Sequence, residues 1–240
     1  QEVQLGLANA VFYRNGFNVK ATYVDAMQND FDAHIEGLIF EAPEALETIN
    51  GWASDNTNGK ITQVLNEISG DAVMFLMNAL YFKGSWSQKF DPQGTSEEAF
   101  NFDDGSSANV LFMHGEIPSR MYEGEDFKVL ELTYGRKNFS MVLVVPSNSL
   151  DEFNQQIDGE TWAEITTTLA GQPELDVDVS MPRFTFEYEK YLNDQLQFLG
   201  MLDAFNPGIA DLSGISDLSL YVSFVKQDTF VDVNEDGTEA

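Results

Sequence analysis

The chain of 240 residues is 43% apolar, which is enough for a full hydrophobic core, and it contains no cysteine, which excludes disulfides, thiolate catalysis and cysteine-ligated zinc. Its 40 acidic and 12 basic residues give a formal net charge of −28, which excludes nucleic-acid binding and disfavours contact with anionic membranes. No apolar run reaches the roughly eighteen residues of a membrane-spanning helix, so we expect no membrane partner.

The first third of the chain predicts a mixture of strands and helices. Residues 5–13 are mostly apolar and predict a buried strand, whereas residues 21–34 predict a weak helix. Pro43 opens a clearer helix, because its fixed φ suits the first helical turn. Residues 72–82 form an apolar run that only Asn78 interrupts, and this pattern predicts a central strand covered on both faces.

The middle of the chain predicts a hairpin followed by a helix. Residues 127–132 and 139–145 predict two strands, which a loop beginning at Tyr134 joins. Ser149 and Glu152 form a capping box, which predicts the start of the helix. Its buried side is expected to comprise Phe153, Ile157, Trp162, Ile165 and Leu169.

The last third predicts two long strands separated by a short helix. Residues 175–188 alternate between apolar and polar and predict one half-buried strand. The short helix ends at Gly200, and the final strand is expected over residues 218–234. Strands and helices in no strict βαβ order favour an α+β fold with mixed or antiparallel sheets. No linker divides the chain, so residues 1–240 are interpreted as a single domain.

Hydrolytic catalysis finds little support in the sequence. His34 and His114 are the only histidines, and neither a G-x-S-x-G nor an H-E-x-x-H motif accompanies them. No glycine-rich phosphate loop is present, and acidic pairs such as Glu97-Glu98 arise from the composition alone. We therefore expect no catalytic residue, metal or cofactor, although a hydrolase remains a minor alternative.

The final ten residues permit two functional interpretations. Asp232, Asn234, Asp236 and Gly237 match the first half of an EF-hand calcium loop. The segment before them alternates at period two, however, whereas an EF-hand requires an entering helix. The second interpretation is the hinge of a mobile loop that can enter a sheet as a strand.

Asn78 is the polar exception within the apolar run. A buried amide without a partner costs about 1–3 kcal/mol, so its side chain should find a hydrogen-bonding neighbour. It is either an ordinary core asparagine or a polar latch that allows a sheet to open.

Five segments match one known family in the same order along the chain. They are NALYFKGSW (78–86), VLEL with SMVL (129–132 and 140–143), MPRF (181–184), LGM with AF and ADLSG (199–214), and FVDVNEDGTEA (230–240). Together they resemble the serpins, the serine protease inhibitor family, over nearly the whole chain.

The resemblance implies a serpin-like α+β domain with one large sheet, a second sheet and surrounding helices. It implies that residues 1–240 lack the family's N-terminal helices and its C-terminal reactive loop and strands. The acidity and the absence of cysteine suggest a microbial member, and the small residues Gly237, Thr238 and Ala240 resemble a hinge of the inhibitory type.

The implied function is inhibition of a serine or cysteine protease by a suicide-substrate mechanism. The reactive loop would insert into the large sheet after the protease has cleaved it, and the protein would not be an enzyme. The alternative is a serpin-fold carrier, chaperone or storage protein without inhibitory action. The expected partner is the target protease, and the protein is expected to be a monomer outside the cell or in the periplasm.

The resemblance also assigns three groups of residues. The anchor at the base of the loop would be Arg183, Glu235 and Trp86. The latch for sheet opening would be Asn78 with Gln227, where the family has a histidine. The reactive-loop hinge would comprise Glu235, Asp236, Gly237, Thr238, Glu239 and Ala240, with small side chains leading the insertion.

Overall fold

The computed structural model describes residues 3–102 and 104–240. In chain order its elements are β1 (Val3–Arg14), α1 (Ala21–Asp30), β2 (Ala33–Leu38), α2 (Pro43–Asn56), β3 (Met74–Ser85), β4 (Ser96–Asn101), β5 (Ser107–Glu123), β6 (Phe127–Tyr134), β7 (Phe139–Pro146), α3 (Leu150–Gln156), α4 (Gly159–Ala170), β8 (Leu175–Pro182), β9 (Phe184–Tyr191), α5 (Asn193–Phe198), β10 (Lys226–Asn234) and β11 (Gly237–Glu239). None of the helices within these ranges is long and apolar enough to cross a membrane.

The strands form two sheets. The larger has six strands in the order β2-β1-β3-β11-β10-β9, with β1 and β2 parallel and β11 antiparallel to both of its neighbours. The smaller has the order β4-β5-β6-β7, and β8 pairs with β5 beside this path. The α+β class, the large mixed sheet and the second sheet predicted from the sequence are confirmed.

The contacts divide the chain into two compact units. The first consists mainly of Lys83–Thr185 and Asp232–Glu239, and the second of Leu5–Phe82 and Phe186–Val231. The single domain that we inferred from the sequence stays a prediction.

Each unit has its own apolar cluster. In the first, Ile165 and Leu169 of α4 pack around Val129 of β6. In the second, Phe12 of β1 and Ile49 of α2 form the centre. The partly buried residues around that centre are Leu38, Trp52, Val64, Leu65, Ile68, Phe75 and Met77.

Two helix predictions are corrected by the structure. The helix expected over residues 21–34 ends at Asp30, because Asp32 has a φ of 48° and the following residues pair with β1. The helix expected after Ser149 is two helices, since Asp158 accepts a hydrogen bond from the backbone N–H of Thr161 and caps α4. Trp162, expected on the buried side, is exposed.

Two strand predictions are also corrected. The strand expected over residues 175–188 is interrupted at Arg183, with β8 in the smaller sheet and β9 in the larger one. The last strand begins at Lys226, not at residue 218. The backbone N–H of Val222 donates to Ala204, and that of Val225 donates to the side chain of Asn193, so neither takes part in a ladder.

Strand β3 is covered on one face only. Ala79 and Tyr81 are buried, whereas Leu76 and Leu80 are 61% and 60% exposed. Asn78 lies between these leucines on the open face, so the prediction that it is buried was wrong. An unbroken apolar run contains the residues of both faces and therefore cannot show which face is covered.

Candidate functional site

The hinge residues enter the larger sheet as the second strand of a hairpin. Glu235 and Asp236 form a two-residue turn between β10 and β11, and Asn234 pairs with Gly237 across it. The backbone N–H of Asp236 donates to Oδ1 of Asn234 at 2.9 Å. This Asx-type contact stabilises the turn that directs the chain back into the sheet.

Strand β11 is hydrogen-bonded on both sides. On the β3 side, Thr238 pairs with Gly84, and on the β10 side it pairs with Val233. Phe82 and Ala240 continue the β3 side by exchanging backbone hydrogen bonds of 2.7 and 2.8 Å. The predicted hinge therefore lies between two strands of the sheet as a short additional strand.

Gly237 approaches the backbone of β3 too closely for any other residue. A Cβ atom at this position would lie 1.9 Å from the carbonyl oxygen of Gly84 and 2.8 Å from Cα of Ser85. Its φ lies outside the left-handed region. The glycine is thus required by close packing, whereas a hinge glycine would usually be explained by its freedom to turn.

Thr238 contacts the hydroxyl of a stacked aromatic residue. Its side chain is 6% exposed, and its Oγ1 accepts a hydrogen bond of 2.6 Å from the hydroxyl of Tyr134. The ring of Tyr134 stacks on that of Trp86, with centroids 4.5 Å apart and planes 13° apart. Burial raises the pKa of Tyr134 to about 12, partly opposed by the bond to Thr238, so the hydroxyl stays a donor at neutral pH.

Glu235 is the charged member of the site. It is 9% exposed, and its Oε1 accepts a hydrogen bond of 2.7 Å from Thr95. Nη1 of Arg183 lies 3.5 Å from Oε2, so the structure contains the expected contact between these two residues. The indole N–H of Trp86 donates to the carbonyl oxygen of Asn234 at 2.8 Å, just before the turn. The role of the group as a loop anchor stays a prediction.

Two lysines face the acids of the hinge. Nζ of Lys89 lies 2.7 Å from Oδ1 of Asp236, and Nζ of Lys83 lies 3.3 Å from Oε2 of Glu239. In a chain with so few bases, these contacts offset part of the local negative charge beside β11.

The predicted latch residues make their hydrogen bonds separately. The amide of Asn78 donates to Oδ1 of Asn9 at 2.9 Å and to the carbonyl oxygen of Ala8 at 3.3 Å. The amide of Gln227 donates to Thr229 on its own strand. Their joint role in sheet opening stays a prediction, without a direct contact between them in this structure.

Two further residues belong to the site, Tyr134 and Thr95, and neither was predicted from the sequence. Tyr134 was assigned to a loop, but it belongs to β6. Leu132 and Tyr134 are both buried two residues apart, which is the period of a strand. Nothing in the local pattern marks Thr95, because its contact with Glu235 joins segments far apart in the chain.

The EF-hand interpretation is not compatible with this geometry. The segment that enters the acidic stretch is strand β10, whereas the motif requires a helix. The carboxylate of Asp232 accepts hydrogen bonds from Thr185 and Asn234, and that of Asp236 pairs with Lys89.

The comparisons with known proteins agree with the fold. The family model described as Serpin (serine protease inhibitor) matches residues 1–240. The chain is 33% identical to Serpin B11 of Mus musculus, covering 100% of this chain and 64% of that protein. It is 34% identical to the leukocyte elastase inhibitor of Xenopus tropicalis, covering 98% of this chain and 65% of that protein.

Solved structures give the same result. Ovalbumin from emu (Dromaius novaehollandiae) superimposes with a TM-score of 0.94 at 27% identity, covering 100% of this chain and 64% of that one. The chain belongs to the serpin family. It spans less than two thirds of the length of the relatives named here.

Proposed function

We propose that the protein containing this chain inhibits a serine or cysteine protease as a suicide substrate. The protease would cleave a reactive loop that follows Ala240, and the loop would then insert into the larger sheet behind β11. The family is one of protease inhibitors, although some of its members do not inhibit.

One observation carries the proposal: Gly237–Glu239 already form a strand with ladder partners on both sides. A strand that continued this course would gain hydrogen bonds to β3 and β10 at every residue. Each such bond contributes about 0.5–1.5 kcal/mol net. Ten or more bonds would offset a large distortion of an attached protease.

The side chains of the hinge support the same mechanism. The glycine fits the closest approach to β3, and the threonine fits the buried site below Tyr134. A bulky or charged residue at either position would oppose entry into the sheet. The relative named as a leukocyte elastase inhibitor adds support from the family.

The test is to mix the full-length protein with a panel of serine and cysteine proteases and to separate the products by denaturing electrophoresis. We expect a covalent adduct that survives the detergent with at least one protease. If every protease cleaves the loop and none is retained in an adduct, the proposal is wrong and a non-inhibitory serpin is favoured.

A further inference from the structure

The backbone ladder alone does not set where the inserting strand comes to rest. Strand hydrogen bonds repeat every two residues, and a slip of two residues keeps each side chain on its original face. Such a slip would place Glu235 or Glu239 where Gly237 lies, and Asp236 or Ala240 where Thr238 lies. Specific side-chain sites must therefore distinguish the observed register from its neighbours.

The first such site is the close approach at Gly237. A Cβ atom there would meet the carbonyl oxygen of Gly84 at 1.9 Å, so either glutamate is excluded from this place. The end of β3 cannot simply retreat, because the β6–β7 hairpin holds it. The carbonyl oxygen of Ser85 accepts from the N–H of Gly135 at 2.8 Å, and the N–H of Ser87 donates to Thr133 at 2.8 Å.

The second site is the hydroxyl of Tyr134. The ring is 3% exposed and stacked on Trp86, which fixes the hydroxyl in space. The hydroxyl donates to Oγ1 of Thr238 over 2.6 Å. Ala240 has no side-chain acceptor, so it would leave this buried donor unsatisfied after a slip of two residues.

We propose that the Gly84–Ser85 backbone and the Tyr134 hydroxyl together form a register reader for the inserting strand. The reader accepts a glycine followed by a small residue with a side-chain acceptor. The inference rests on the proposed inhibitory function and names the residues that determine which segment fits.

The hydrogen-bond half of the reader is tested with Tyr134→Phe, Thr238→Val, Thr238→Ser and the double variant Tyr134→Phe/Thr238→Val in the full-length protein. The readout is the number of inhibitor molecules consumed per protease trapped, since slower insertion favours hydrolysis of the acyl intermediate. Loss of either partner of the Tyr134–Thr238 hydrogen bond should raise the number of inhibitor molecules consumed per trapped protease about fivefold. The double variant should be no worse than the more damaging single variant, because it leaves no buried partner unsatisfied. Thr238→Ser should recover most of the loss seen with Thr238→Val.

The glycine half is tested with Gly237→Ala, and Gly214→Ala is the matched control because nothing lies within 4 Å of a Cβ at that position. Gly237→Ala should raise consumption at least about tenfold, well beyond the loss of one hydrogen bond. Multiplicative effects of Tyr134→Phe and Thr238→Val, or equal behaviour of the two alanine variants, would overturn the reader.

A second readout separates this inference from the proposed function. If the wild-type protein traps no protease, the loop is cut with an enzyme that leaves the rest of the protein intact, and the melting temperature of the cleaved protein is measured. The reader predicts that Tyr134→Phe and Thr238→Val each lower this temperature and that the double variant lowers it no further than the more damaging single variant. An unchanged melting temperature in all variants would exclude the reader even if trapping occurs.

Discussion

At the scale of single residues, Thr238 offers the sharpest test of the hinge. Arginine at this position would bring a charge into a site that is 6% exposed and is bonded to the hydroxyl of Tyr134. We expect Thr238→Arg to be cleaved by the target protease without forming an adduct. Thr167→Arg, on an exposed position of α4, should trap normally. A full yield of adduct from Thr238→Arg would reject the role given to the hinge.

The two partners of the predicted anchor should contribute unequally to stability. Glu235 is buried and bonded to Thr95, whereas the side chain of Arg183 is 45% exposed. Glu235→Ala should therefore lower the free energy of unfolding by about 1–3 kcal/mol, and Arg183→Ala by less than about 1 kcal/mol. Urea unfolding of the two full-length variants measures the difference. The reverse order would show that the ion pair, not the threonine contact, dominates.

Tyr134 should give the protein a specific alkaline sensitivity. Burial raises its pKa to about 12, above the value near 10 of an unfolded chain. The stabilisation that the neutral Tyr134 hydroxyl provides is thus fully present below about pH 10. It is lost as the pH rises through the pKa of Tyr134 in the folded protein. Between about pH 9 and 11 the stability advantage of wild type over Tyr134→Phe should shrink by about 1 kcal/mol. Tyr188→Phe, at an exposed tyrosine, is the control for the loss of a tyrosine hydroxyl.

At the scale of elements, Lys226 joins β10 to two other parts of its unit. Its side chain is 8% exposed, and Nζ lies 3.0 Å from Glu189 of β9, 3.0 Å from Asp228 and 2.9 Å from the carbonyl oxygen of Val64. A buried lysine is unusual, because its ammonium group requires several polar partners to remain charged.

Removing Lys226 should leave Asp228 as a largely buried carboxylate without a cation. We expect Lys226→Met to lower the free energy of unfolding by about 2–4 kcal/mol, and Lys226→Met/Asp228→Leu to recover most of it. Burial already raises the pKa of Asp228, so the loss should diminish as the pH falls and acid protonates this group. Lys128→Met, at an exposed pair with Glu123, should change stability by less than about 0.5 kcal/mol. Equal losses in the two methionine variants would contradict the argument.

The sequence predicted elements well where a local signal existed. Pro43 begins α2 and Ser149 caps α3, because caps and fixed φ values act within one turn. It failed at Arg183, where the strand leaves one sheet for the other without a change in its alternation. Residues 96–123 received no prediction, since acids and apolar residues mix there without a clean period, and yet they form β4 and β5.

The site was predictable only through the family motifs. The match at residues 181–184 placed Arg183 beside Glu235, which no periodicity could have indicated. The contact between Tyr134 and Thr238 joins residues 104 positions apart and depends on the pairing of distant segments. The requirement for Gly237 was recognised, but its physical reason follows only from the distance to β3.

At the scale of the whole molecule, the net charge of −28 should make stability depend on salt. Like charges repel across the folded surface, and screening shortens their range from about 10 Å at 0.1 M salt to about 3 Å at 1 M. We expect the melting temperature of the full-length protein to rise by several degrees between these concentrations. Sodium and potassium chloride should act alike, since the effect is one of screening. A falling melting temperature would mean that the surface ion pairs outweigh the repulsion.

The stacking of Trp86 on Tyr134 also equips the molecule with its own optical signal. The only other indoles of the chain are Trp52 and Trp162, and neither belongs to the hinge site. Phenylalanine at those two positions would leave Trp86, whose N–H is bonded at the turn before β11, as the single tryptophan of residues 1–240. The emission wavelength and intensity of its fluorescence would then report insertion of the loop in real time, without an attached dye.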